Sequence, residues 1–181
     1  MNTIYAKTAG AARGALLGML LGFGTLALPA GAEEAKDVKE AKVLGAHDQP
    51  IHDAARMGSG KDIVRILKAD PQARDARTVA QGSQPIHLAA TNPDTSALKA
   101  LIAAGADPNA RDNDASTPLH MAVYTQKVEH TQLLLDAGAD PKAKNNLGRD
   151  VLSLARKQMA NEAAGIISLW ILKGCQPKKP C

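Results

Sequence analysis

A segment returns in this chain at an interval of 33 residues. Gln84-Pro85-Ile86-His87-Leu88-Ala89-Ala90 comes back as Thr117-Pro118-Leu119-His120-Met121-Ala122-Val123, and Gly105-Ala106-Asp107-Pro108 comes back as Gly138-Ala139-Asp140-Pro141 at the same spacing. An earlier copy, Gln49-Pro50-Ile51-His52-Asp53-Ala54-Ala55, precedes the first by 35 residues and closes on Ala69-Asp70-Pro71. A fourth, Gly148 to Ala155, lacks the proline and the histidine and closes on Gly174-Cys175-Gln176-Pro177. Four units therefore cover roughly residues 47–177. A period of this length marks one supersecondary unit repeated, and such a unit buries its apolar face only by stacking on its neighbours.

Each unit offers a proline suited to the first turn of a helix, a short apolar helix, a turn, and a second helix with apolar residues three and four apart. Ile63, Ile66 and Leu67 supply that second stripe in the first unit, and Leu98, Leu101 and Ile102 in the second. The glycine after the second helix permits a left-handed cap, and Asp-Pro then stops the helix. The third unit's Thr117-Pro118-Leu119-His120-Met121-Ala122, with its period of 33 residues, resembles the ankyrin repeat. The resemblance implies an all-α solenoid of about four helix-turn-helix repeats joined by short β-hairpin-like fingers. The first repeat departs from the pattern. Its helical part is two residues shorter than the next and its finger four residues longer, which points to an extended loop over Ala76–Gln81.

The ends carry other signals. Lys7 and Arg13 precede an apolar run over 15–28, and Pro29-Ala30-Gly31-Ala32 follows as a small-residue cleavage pattern, so residues 1–32 read as a secretory signal peptide. The run is too short and glycine-interrupted for a membrane anchor, which needs about 20 apolar residues. Cleavage leaves 149 residues, enough for one domain, and lowers the formal charge from +4 to +2. No cysteine stands directly after the leader, which argues against lipidation. The expected location is the periplasm, or the medium if the protein is secreted further. The charged segment 33–46 is either a capping helix on the first repeat or a solvated linker, and 178–181 is a tail. Cys175 and Cys181 form a local disulfide in an oxidising compartment, unless they pair between chains or stay as thiols.

Little here points to catalysis or a cofactor. His52, His87 and His120 recur at the repeat period, so they form a ladder and do not converge on a metal. The resemblance gives them a structural hydrogen-bonding role at the entry to each first helix. His47 and His130 lie outside the motif and are expected at the surface. Gly58-Ser59-Gly60-Lys61 lacks the earlier glycine and the following hydroxyl of a phosphate loop and reads as an interhelical turn. With only Tyr124 and Trp170 as aromatics after the leader, stacking on nucleic-acid bases is disfavoured.

The resemblance implies instead a protein partner, met on the concave side by the ends of the first helices and by the finger tips. Carried over by position, the helix-end residues are Arg56 and Met57, Thr91 and Asn92, Tyr124 and Thr125, and Lys157 and Gln158. Tyr124 is the candidate anchor. At the fingers, Arg74, Arg111 and Lys144 share a repeat position and suggest a basic file, extended by Arg77 and Arg149, for an acidic partner surface. Asn113, Asp114 and Asn146 complete the tips. Trp170 is expected to seal the last repeat. The expected function is a scaffold or accessory factor for one specific protein. An immunity-type inhibitor that occludes a toxin or enzyme is the alternative, and a small metal-binding hydrolase a more distant one.

Overall fold

A computed structural model describes residues 49–176. The leader, the segment 33–46, His47 and Cys181 lie outside the described residues. So does any pairing of Cys181 with Cys175.

The proline of each motif opens a first helix: α1 (Pro50–Met57), α3 (Pro85–Ala89) and α5 (Pro118–Tyr124). In the fourth repeat α7 (Val151–Lys157) starts without a proline, and Asp150 caps it by accepting the Ser153 N–H at 2.7 Å. The second helices are α2 (Gly60–Ala69), α4 (Thr95–Ala103), α6 (Val128–Asp136) and α8 (Asn161–Leu172). First helices stack on first helices and second on second, so two helical layers run through this unit. Ile51, Ile86, Leu119 and Val151 from the first layer meet Ile63, Leu98, Leu101, Leu134, Leu135 and Ile167 from the second, all without solvent exposure. Trp170 closes the last repeat at 6% exposure, its indole N–H buried without a partner.

The helix ends follow the expected chemistry. Gly105, Gly138 and Gly174 have φ of 81°, 90° and 73°. In the two central repeats the turn is closed by Ala106 N–H to Leu101 O and Ala139 N–H to Leu134 O, at 3.0 and 2.9 Å. At the other end of the second layer, Gly60 comes so close to α4 that a Cβ would sit 2.5 Å from the Ser96 carbonyl oxygen. The interhelical turns are less accommodating. Gln126 and Met159 hold φ of 57° and 55°, a region that costs a side-chain-bearing residue roughly 1 kcal/mol. Met159 is 79% exposed, so Met159→Gly is expected to raise unfolding free energy by roughly 0.5 kcal/mol in a denaturant titration. An unchanged or lower value would show that the Met159 side chain contributes contacts of equal worth.

The first repeat's extra residues fall elsewhere than the sequence suggested. Three of the four enter a 3-10 turn, Pro71–Asp75, before the finger begins. The finger itself closes through Thr78 N–H to Ser83 O, against Asp112 N–H to Ser116 O in the second and Asn145 N–H to Arg149 O in the third. It is longer at its tip by a single residue.

Candidate functional site

The motif histidines define how fingers attach to helices. His52, His87 and His120 are buried, and each Nδ1 accepts the backbone N–H three residues earlier, from Gln49, Gln84 and Thr117 at 3.0, 3.2 and 3.2 Å. An accepting Nδ1 leaves the proton on Nε2. That nitrogen donates to Ala76 O, Ser116 O and Arg149 O at 3.0, 3.2 and 3.2 Å, tying the start of each first helix to the finger ahead. Burial pushes the His87 and His120 imidazoles below the ordinary histidine value. Among the described residues no three His, Cys, Asp or Glu side chains gather into a metal-binding group.

The arginines expected to form a basic file are spent largely on the scaffold. Arg77 Nη1 donates to Gly82 O in its own finger and to Arg111 O in the next, both at 2.9 Å. Arg111 Nη1 repeats this with Ala115 O at 3.2 Å and Lys144 O at 2.8 Å. Arg77, and not Arg74, is therefore the counterpart of Arg111. Arg74 belongs to the 3-10 turn, where it pairs with Asp75 and donates to Ala104 O at 3.0 Å. Asp75 raises the Arg74 pKa, first by hydrogen bonding and then by its charge. Lys144 is exposed at the edge of the fingers, and Arg149 is half-buried with its carbonyl accepting from His120. The tips are joined in turn: Asn113 N–H donates to Gln81 O and Asn146 N–H to Asp114 O, both at 2.9 Å, while Asn146 Nδ2 reaches Asn113 O at 3.0 Å.

Of the helix-end residues, Met57 and Tyr124 stand out at 78% and 61% exposure. Arg56, Thr125 and Lys157 are also exposed and Thr91 is half-buried, with both threonine hydroxyls donating to carbonyls of their own helices. Asn92 does not belong to this surface. At 2% exposure its amide donates to Ala55 O and Gly58 O, at 2.9 and 3.0 Å, joining the second repeat to the interhelical turn of the first. His130 is likewise not a surface residue. It is 2% exposed on α6, where the residues 33 before and after are the buried Ala97 and Ala163. Its Nε2 is buried without a hydrogen-bond partner, and desolvation lowers its pKa.

Sequence reasoning missed Val79 and Leu147, apolar residues 68% and 69% exposed in the first and third fingers. The available signal was a large aliphatic residue inside a polar turn, where no core demands it.

What these residues offer is exposed surface at the ends of the first helices and along the fingers. Among the described residues no helix is long and apolar enough to cross a membrane. No curated protein matches the chain. A family model of ankyrin repeats, with three copies, matches residues 51–145, just over half of the sequence. The two helical layers, the histidine-pinned fingers and this match agree, and the chain belongs to the ankyrin-repeat family, a fold built for protein–protein interaction.

Proposed function

We propose that this protein is a non-enzymatic periplasmic binding module that engages one specific protein partner through the ends of its first helices and its fingers. The observation that carries the reading is Met57 and Tyr124, which present large apolar surface to solvent from a helical layer whose other large apolar residues serve the core. Large side chains of this kind contribute most to binding when they enter a partner's pocket. Val79 and Leu147 offer further apolar contact at the fingers, and Lys144 supplies the exposed cation there. The leader, with Lys7, Arg13 and the Ala30-Gly31-Ala32 site, supports export.

The test is affinity purification of the tagged protein from its native envelope fraction, with wild type beside a Tyr124→Ala, Lys144→Glu variant. Neither residue has a hydrogen-bonding role in the scaffold comparable to that of Arg111. The variant is expected to lose affinity for the captured partner by about tenfold or more, with its melting temperature nearly unchanged. A partner retained equally by both proteins would refute the proposed face.

A further inference from the structure

The second-helix layer carries charges sorted by position. Its solvent-facing stripe holds Lys61, Lys68 and Lys99 on α2 and α4, then Glu129, Asp136 and Glu162 on α6 and α8. Arg65 adds no net charge to the first group, because Asp62 bonds it at 3.0 Å. Within the helix bodies one half of this layer is therefore cationic and the other anionic, while at the helix ends Asp70 and Asp94 offset part of the first and Lys127 and Lys173, the latter beside Asp136, part of the second. Apolar surface accompanies both halves. Val64, 56% exposed, lies with Ala100 in a 630 Å³ groove edged by Lys61 and Lys68. On α8, Leu169 and Leu172 are 53% and 83% exposed, and open space adjoins Gly165 on the same helix.

We infer that two copies of the chain associate through this layer with their repeat order reversed. The second helices are equivalent elements of successive repeats and run in one direction. A two-fold axis parallel to them keeps the facing helices parallel while reversing the repeat order. It sets α2 and α4 of one copy on α8 and α6 of the other, and the same contact recurs on the far side of the axis. The contact is self-complementary and closed, so it ends at a dimer. Lys61 and Lys68 then face the end of the layer that bears Glu162, and Lys99 faces the carboxylates of α6. The α8 leucines meet the groove floored by Val64 and Ala100. An anionic membrane fits this face less well, because it would attract the first two second-helices and repel the last two. The fingers and first-helix ends lie on the other layer, so the pair presents two copies of that face and gains avidity for a paired or clustered partner.

Sedimentation velocity tests this on the protein expressed from its full sequence and purified in the form that accumulates, over a concentration series in low and moderate salt. Wild type is expected to dimerise and to do so more weakly as salt screens the exposed charges. Lys61→Glu with Lys68→Glu, and separately Glu129→Lys with Glu162→Lys, should each weaken the dimer by about tenfold or more. All four substitutions together keep the wild-type net charge and invert the sorting, so the dimer should return toward wild-type strength. A monomer at all concentrations overturns the inference. So do double variants that dimerise like wild type, or a quadruple variant as weak as the doubles.

Discussion

Leu101→Ala is expected to lower the free energy of unfolding by roughly 2–5 kcal/mol, read from a chemical denaturation curve. Leu101 has no solvent exposure, and α4 packs between α2 and α6 at the middle of the second layer. The substitution removes buried aliphatic surface from a helix that packs on α2, α3 and α6, and leaves a cavity there. In a stack each repeat owes most of its stability to the interfaces with the units beside it, so a central cavity weakens two interfaces at once. A broadened or two-step transition would show the outer repeats separating from each other. A loss under about 1 kcal/mol would place Leu101 outside the core.

His87→Ala should cost roughly 2–4 kcal/mol, more than the lost imidazole surface alone would give. It leaves the Gln84 N–H without its acceptor and the Ser116 carbonyl oxygen with only the Asp112 N–H, in a place where water enters poorly. The same residue sets a pH dependence. Its folded pKa lies below the ordinary value of 6.5, so the unfolded chain binds the proton more readily. The stability contribution of neutral His87 is complete above about pH 6.5 and falls away as the pH drops toward the folded pKa. His120 and His130 act in the same direction. The lowered carboxyl pKa values of Asp62, Asp94 and Asp150, led by hydrogen bonds to serines, withdraw stability only below 3.8. Denaturation midpoints between about pH 7 and 5 should therefore slope downward in wild type and less steeply in His87→Ala. Equal slopes would show that His87 takes up its proton without leaving its site.

The periodic features were legible in the sequence because each is written several times. Prolines at helix starts, glycines at helix ends, apolar spacing and the histidine ladder each repeat an instruction whose physical meaning does not change from unit to unit. What occurs once was misread. Asn92 carries no periodic signal, and its amide turns back toward carbonyls of the preceding repeat. His130 was taken as a surface residue although it replaces the alanine of the neighbouring repeats. A comparison by column, not by motif, would have flagged it. The finger register failed for a different reason. Ala73-Arg74-Asp75 matches Ala110-Arg111-Asp112 in letters, but backbone pairing across the finger decides the alignment. That pairing equates Arg77 with Arg111. The exposure of Met57 and Tyr124 follows from their place at the helix ends, whereas that of Val79 and Leu147 needed the folded fingers to reveal it.

The arginine bonds from finger to finger also bear on the thermodynamics of recognition. Loops that are free before binding must surrender backbone and side-chain entropy when a partner docks, and that loss subtracts from affinity. Here Arg77 has already fixed the second finger to the first, and Arg111 the third to the second, before anything arrives. The tips therefore move as one comb. A docking protein meets a surface whose ordering cost was met during folding, so severing a strap far from the contact would loosen the complex without removing a single contact from it.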